Sequence, residues 1–283
     1  MRISDPRNPR MMRRPGAFEA RSYPASAFAN LADPVLNVDW FEMTAPTFAA
    51  HPHAGFSAVT YLFEDSPNGF LDRDSLGTEV RIEPGAVHWT RASRGIVHEE
   101  TPLPGGEAVR GLQVFVNLPA DAQGDPPAAF HVGPQASRVD RSRAGTLRTA
   151  VNGTRLAGDD RALPSPVRLT EGTLAAGRDL LVTVPGGWGG LVIALEGDLT
   201  VGGRTLAPEQ AIAFAADAGE TLTLAAGDVP ARFALIAGAR LSQPVHGDGP
   251  LKLASAAALA DRTVAYQRGE FGTLTAEPTR RAL

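Results

Sequence analysis

The sequence predicts a mostly β protein made of two barrels, with one short helix near the C-terminus. Three observations predict this class. Short apolar runs rich in β-branched residues alternate with turn residues, glycine and proline number 30 and 23 among 283 residues, and one strand–turn–strand pattern occurs twice. Turn signals every 8–12 residues or so favour a sandwich or barrel over alternating strands and helices.

The first half contains three clear strand signals. Residues 55–63 (GFSAVTYLF) form a continuous apolar run, and residues 79–89 (EVRIEPGAVHW) partly alternate between apolar and polar. The cluster SPNG at 66–69 predicts a turn between them, and residues 111–117 (GLQVFVN) predict a further strand. These segments indicate a sheet-rich first barrel.

The second half has shorter strand signals and the single helical one. Strands are predicted at 181–184, 191–195, 199–201, 221–224 and 231–236. Ser255 can cap the run AAALADRTVAYQ, and Gly269 can end it. We therefore expect one C-terminal helix.

The two halves also repeat one another. An apolar strand ending in LFE at 62–64 leads through a turn to IEPGAVHW, and GLVIALEGDLTVGG leads likewise to LAPEQAIAF. This pattern predicts an N-terminal domain at 1–130 and a C-terminal domain at 131–283. The linker is expected within the turn-rich stretch 119–137.

Composition narrows the classes of function. A net charge of −4 argues against a nucleic-acid surface made by bulk charge, and the absence of cysteine excludes thiolate sites and disulfides. No secretory or membrane-spanning run is seen, so a cytoplasmic location is expected. The N-terminal segment carries five arginines: Arg2, Arg7, Arg10, Arg13 and Arg14. We interpret this segment as a solvated, partly disordered arm rather than a tail that binds phosphates or a partner.

The histidines indicate a metal site. Four of the six lie between positions 51 and 98; His51 and His53 stand two apart, as do His98 and Glu100. At strand spacing each pair points to one face. Such a pair alone is often a chance pattern, but two of them on β-rich segments favour a single cation. Three imidazoles and one carboxylate suit a divalent first-row metal, zinc included, and leave positions for substrate or oxygen.

Neighbouring residues receive structural interpretations. We expect Trp89 to face the barrel interior and His88 to lie outside or at the rim. Glu99 should point away from the metal by strand alternation. Arg94 could steer an anionic substrate or orient Glu100, although a surface turn arginine is the commoner case. Two further histidines, His131 and His246, are expected to be solvent-exposed. The stretch GGWGG at 186–190 is expected to form a turn.

Four segments resemble the pirin family of two-domain cupins. They are HPHAGFSAVTYLFE (51–64), DSLG (74–77), EPGAVHWTRASRGIVHEE (83–100) and GLQVFVNLP (111–119). The likeness extends from LNVDWF at 36–41 to ALIAGARLSQPV, GPL and RGEFG near the C-terminus, which is nearly the whole chain. The resemblance implies a bicupin with a metal site in the N-terminal barrel. The C-terminal barrel is expected to be metal-free, because the second half has GGWGG where the repeat would need His-x-His, and no His-x-Glu follows Phe214.

Carried over by position, the resemblance implies that His51, His53, His98 and Glu100 bind the metal. Iron is usual in pirins, and Zn, Mn, Ni, Co or Cu are alternatives. Several neighbours depart from the family pattern. Ala54 stands where the family often has arginine, Ser57 where it often has glutamate, and Asp72 where it often has histidine. His88 stands in place of glutamine, and Phe115 in place of tryptophan.

The resemblance implies an oxygen-using enzyme of the quercetin 2,3-dioxygenase kind, which opens flavonols with O₂ and releases carbon monoxide. Glu100 is then expected to act as the catalytic base. Two alternatives remain open: a metal- or redox-dependent regulator that binds a protein partner, and another cupin activity such as isomerisation of a small hydroxylated substrate.

Overall fold

The computed structural model describes residues 1–156 and 162–274. Strands account for most of it, in chain order β1 (Arg2–Ile3), β2 (Arg10–Arg14), β3 (Phe18–Pro24), β4 (Val35–Met43), β5 (His51–His53), β6 (Phe56–Leu62), β7 (Phe70–Asp74), β8 (Glu79–Ile82), β9 (Val87–Arg91), β10 (Ile96–Pro102), β11 (Val109–Asn117), β12 (Ala128–Val132), β13 (Arg138–Ser142), β14 (Gly145–Arg155), β15 (Ala162–Leu174), β16 (Asp179–Val184), β17 (Trp188–Glu196), β18 (Leu199–Val201), β19 (Arg204–Leu206), β20 (Ala211–Ala215), β21 (Glu220–Ala226), β22 (Ala231–Ala239), β23 (His246–Asp248) and β24 (Leu251–Leu253). Short 3-10 turns lie at Ala25–Phe28, Ala122–Gly124 and Pro134–Ala136.

The helix expected near the C-terminus is α1 (Ala256–Gln267), the one α-helix of the described chain. The Ser255 hydroxyl accepts a hydrogen bond from the Ala258 backbone N–H, and Gly269 follows with a positive φ of 76°. Both end signals read from the sequence are therefore confirmed.

Each half of the chain forms a seven-stranded sheet facing a four-stranded sheet. The N-terminal pair has orders β12-β9-β6-β11-β4-β3-β2 and β5-β10-β7-β8; the C-terminal pair has orders β1-β20-β17-β22-β15-β14-β13 and β16-β21-β18-β19. The strand order is the same in both halves once β12 and β1 are matched. This confirms the repeat and the two-barrel architecture.

The edge strands are exchanged between the halves. β1 pairs with β20, Ile3 lying opposite Phe214, whereas β12 pairs with β9, Phe130 lying opposite Trp89. The expected domain boundary between residues 130 and 131 thus falls inside β12.

The arginine-bearing N-terminus is ordered, because β1 and β2 form the edge strands of the two large sheets. The expectation of a partly disordered arm was therefore wrong.

The two large sheets pack against each other, which explains their unbroken apolar strands. A shared core joins Tyr61, Trp89 and Leu112 of the first barrel to Leu191 and Ile236 of the second. Because one face of β6 and β17 lines its own barrel and the other meets the neighbouring barrel, every residue of β6 is buried. Continuous apolar runs are the expected pattern for strands covered on both faces.

The C-terminal segment returns to the N-terminal barrel. Leu251, Leu253 and Phe271 pack with Ala54 and Val97 in a small core. Two glycines permit this close approach: a side chain at Gly55 would collide with the Lys252 carbonyl, and one at Gly95 with the Phe271 ring. The segment therefore supports the strands that carry the predicted metal ligands.

Candidate metal centre

Three histidines converge at the mouth of the N-terminal barrel. β5 places His51 and His53 on one face, and its antiparallel pairing with β10 sets His98 directly opposite His51. The ring centroids lie 4.8 Å (His51–His53), 4.8 Å (His51–His98) and 4.9 Å (His53–His98) apart. One ring nitrogen of each lies within 4.8 Å of the others. The structure thus brings together the three imidazoles that strand spacing predicted to share one face.

Every one of these rings has its Nδ1 atom beside an oxygen acceptor. His51 Nδ1 lies 3.0 Å from the Ala49 carbonyl oxygen, His53 Nδ1 lies 3.4 Å from that of Pro250, and His98 Nδ1 lies 3.0 Å from Asp72 Oδ2. Such contacts fix the tautomer with the proton on Nδ1 and leave Nε2 as the free donor atom. Three rings that each present Nε2 in this way fit a divalent metal.

The charge state of the pair on β5 agrees with metal binding. Burial, followed by the charge of His98, lowers the pKa of His51 to about 4. Burial, with the charges of His98 and His51, also lowers the pKa of His53 well below its usual value. Both imidazoles are therefore neutral near pH 7, as a metal ligand must be.

Asp72 is the carboxylate beneath His98. It is fully buried, with Oδ2 facing His98 Nδ1 and Oδ1 lying 3.1 Å from His88 Nε2. Burial alone would raise the pKa of Asp72, but hydrogen bonds from His88 and His98 outweigh it and lower that pKa. Asp72 therefore stays ionised and holds His98 in its orientation.

The same contact affects His98. Burial disfavours its protonated form, but the hydrogen bond and charge of Asp72 raise its pKa. A carboxylate–histidine pair of this kind orients a metal ligand and raises its basicity. The residue at position 72 is one of the departures from the family pattern, and it acts directly on the site.

His88 corrects a sequence-based expectation. It is 1% exposed and points into the barrel toward Asp72, whereas Trp89 points into the core between the barrels. Strand alternation was assigned correctly, but the faces were reversed. The outer face of β9 is covered by the second barrel, so the larger apolar ring belongs there.

Glu100 lines the same cavity, two residues beyond His98. Thr60 Oγ1 donates a hydrogen bond to Glu100 Oε1 and lies 2.9 Å from Gln113 Oε1. Burial and the charge of Asp72 raise the pKa of Glu100, although His98 and Thr60 oppose the shift. Among the described residues, the metal-sized cluster comprises the three histidines without Glu100, so its role as fourth ligand stays a prediction.

The cavity above the histidines has a volume of about 250 Å³ and is largely apolar. The partly buried carboxylate of Asp39 lies in its wall. The rest of the wall is largely made of aromatic and methionine side chains: Met12, Phe18, Phe41, Met43, Phe48, Phe70 and Phe115. Sequence analysis missed these walls, apart from noting Phe115 as a family departure. They come from β2, β3, β4, β7, β11 and the loop before β5, and this spread along the chain hides their proximity.

The remaining expectations have clear outcomes. Glu99 points away from the site and pairs with Arg73, as predicted from alternation. Arg94 is an exposed turn residue, and His131 and His246 are exposed as expected. Gly186 and Gly187 form a turn, but the rest of the GGWGG stretch begins strand β17.

Two family departures lie away from the cavity. Ala54 packs against the returning C-terminal segment, where no long side chain would fit, and Ser57 is fully buried on β6. Neither lines the cavity. The departures that reach the site are Asp72 and His88 beneath the histidines and Phe115 in the wall.

Two barrels of identical strand order, one carrying a three-histidine site compatible with a divalent metal, define a bicupin. Residues 12–116 match the Pirin family model and residues 169–272 match the Pirin C-terminal cupin domain. The chain therefore belongs to the pirin family.

Comparisons with individual proteins agree. Pirin-1 of Arabidopsis thaliana is 30% identical over 86% of this chain and 84% of its own length. A Pseudomonas aeruginosa relative with the provisional name quercetin 2,3-dioxygenase is 30% identical over 79% of this chain and 81% of its own. The crystal structure of quercetin 2,3-dioxygenase from Acinetobacter baumannii shares the fold, with a TM-score of 0.83, 24% identity and coverage of 97% and 98%.

No helix in the described ranges has the length and apolar character needed to cross a membrane.

Proposed function

We propose that the protein is a metal-dependent dioxygenase of the quercetin 2,3-dioxygenase type, with iron as its metal and a flavonol such as quercetin as substrate. The observation that carries the proposal is the triad of Nδ1-anchored imidazoles at the base of an aromatic cavity. The name of the Pseudomonas aeruginosa relative supports the same activity.

His51, His53 and His98 would hold the metal, with Glu100 as the fourth ligand. When bound, the metal supplies Lewis acidity and, as iron, redox chemistry toward O₂. Asp72 keeps His98 oriented, and the Thr60 hydroxyl donates a hydrogen bond that holds the carboxylate of Glu100 in the cavity wall.

Glu100 would accept the proton of the flavonol 3-hydroxyl. It is the carboxylate that lines the cavity two residues beyond His98, within reach of a substrate hydroxyl bound there. Both atoms of O₂ then enter the ring-opened product, and the ring carbon that bore the hydroxyl leaves as carbon monoxide.

The aromatic walls would bind the substrate by stacking and exclude water. Phe115 contacts both His53 and Phe56, with ring centroids 5.6 and 4.7 Å away. The cavity of about 250 Å³ is smaller than the roughly 300–1,000 Å³ typical of sites for drug-sized ligands. We therefore expect the hydroxyl-bearing end of the flavonol to enter and the rest to lie at the mouth.

Oxygen uptake tests the proposal. Protein loaded anaerobically with iron, its metal content verified, should consume O₂ and quercetin in equal amounts and release carbon monoxide. Glu100→Gln should slow turnover at least ~100-fold, the lower range for a proton-transfer group. Glu99→Gln is the matched control, because that side chain points away toward Arg73. Full loading with iron, and separately with Zn, Mn, Ni, Co and Cu, without any oxygen uptake would overturn the proposal.

A further inference from the structure

The C-terminal barrel also has a cavity at its mouth, although it carries leucine and valine where the first barrel carries histidine. Strands β16 and β21 occupy the positions of β5 and β10 in the sheet order. There Leu180 lies opposite Leu224, and Val182 opposite Leu222. The cavity has a volume of about 510 Å³, within the range of small-molecule sites.

The floor of this cavity is apolar and its wall contains hydroxyls. Leu147, Leu180, Val182 and Leu235 are among its lining residues, and three threonines also line it. The Oγ1 atoms of two of them, Thr149 and Thr170, are 3.3 Å apart. Such a surface suits an apolar body that carries a polar group at one end.

Arg168 is a charged residue of the wall whose contacts are with neutral groups. Its Nη1 donates to the Thr183 carbonyl at 2.9 Å, its Nε lies 3.4 Å from Asn152 Oδ1, and its guanidinium lies 5.9 Å from the Trp188 ring centroid. These partners are neutral. Across the sheet, the small residue Ala237 lies opposite Arg168.

Arg168 has no carboxylate partner among the described residues. Its pKa is lowered, with burial the one cause, so its partial desolvation is not offset by a counter-ion there. The acidic side chain that lines the cavity, Asp140, is paired with Arg138 at 2.9 Å, and Arg155 adds a further positive charge at the rim. An anion from solution would complete the arrangement, since a guanidinium binds a carboxylate through a planar fork.

We propose that the mouth of the C-terminal barrel binds a small organic anion, a monocarboxylate with an aromatic or branched apolar body, whose carboxylate meets Arg168 while the body lies between Leu180 and Leu235. This site is separate from the three-histidine centre and does not depend on the proposed dioxygenase activity.

Calorimetric titration of the full-length protein with 1-naphthoate tests the site. 1-Naphthamide serves as the neutral ligand of the same shape. The naphthoate should bind at least tenfold more tightly than the amide. Arg168→Gln should remove most of that preference, and Arg168→Lys should retain part of it. Arg178→Gln, an exposed arginine in the same barrel, should bind like the unmodified protein.

A cavity-filling substitution tests whether the naphthoate binds at this site. Leu180 is partly exposed at the mouth, so Leu180→Trp should occupy the space without overpacking the core, which the thermal unfolding midpoint will verify. This variant should lose naphthoate binding, whereas His98→Ala should keep it. Equal binding of naphthoate and naphthamide, unchanged affinity in Arg168→Gln, or no binding of naphthoate to the unmodified protein would each overturn the proposal.

Discussion

The mouths of the two barrels differ more in chemistry than in architecture. In the first, β5 and β10 bring His51, His53 and His98 together; in the second, β16 and β21 bring leucine and valine together in the same strand positions. A half-buried arginine lies in the second mouth and a carboxylate, Asp72, beneath the first. One architecture therefore holds two unlike sites, and the side chains at a few facing strand positions decide which.

The largest expected effect is the loss of a histidine ligand. His98→Ala should lower metal affinity by more than the ~10–100-fold typical of losing a supporting residue, because it removes a donor atom itself. Equilibrium dialysis followed by metal analysis measures this. His246→Ala, an exposed histidine, should bind metal normally. Equal metal affinity in the two variants would contradict the site.

The second barrel should show the reverse behaviour. Leu224→Ala empties a fully buried core position and should lower the free energy of unfolding by about 2–5 kcal/mol. Metal content at temperatures where the protein stays folded should not change. Denaturant unfolding and metal analysis of one preparation check both. Loss of metal from the folded variant would show that the barrels are coupled.

Asp72 gives a smaller but more specific effect. Asp72→Asn keeps the shape but removes the charge beneath His98, and should weaken metal binding by about 10–100-fold. Competition with a chelator measures the change. Glu99→Gln, next to His98 but pointing away, should leave the affinity unaltered. A larger loss in Glu99→Gln than in Asp72→Asn would refute the supporting role of Asp72.

The smallest expected effect concerns Asp39 in the cavity wall. Burial raises its pKa despite hydrogen bonds from Ser22 and Asn37. Its stabilising contribution is therefore fully present below its unfolded-state pKa and is lost as pH rises through the raised folded-state value. Asp39→Asn should match the unmodified protein in acid and unfold up to ~2 °C higher at neutral pH.

Thermal unfolding at several pH values measures this difference. The exposed turn residue Asp228, changed to Asn, provides the control. A difference that is larger in acid than at neutral pH would contradict the assigned direction of the Asp39 pKa shift.

Local sequence signals were sufficient for much of the fold and for the cluster of three histidines. Strand alternation placed His51 and His53 on one face and Glu99 away from it, and Ser255 marked the start of the helix. These inferences succeed because they depend on neighbours two to four residues apart.

Features that depend on distant pairing were missed or wrong. The N-terminal arginines are ordered because Ile3 pairs with Phe214, and His88 faces inward because the second barrel covers Trp89. The contact of Asp72 with His98 likewise requires the register between β7 and β10. None of these follows from the residues adjacent in sequence.

The central claim is that one metal ion sits among the three histidines of the first barrel. Anomalous diffraction at the iron edge from crystals of iron-loaded protein tests it directly. We predict one strong peak at coordination distance from Nε2 of His51, His53 and His98 and from the carboxylate of Glu100. We predict no peak in the C-terminal barrel. A peak elsewhere, or no peak from protein shown to contain iron, would contradict the account.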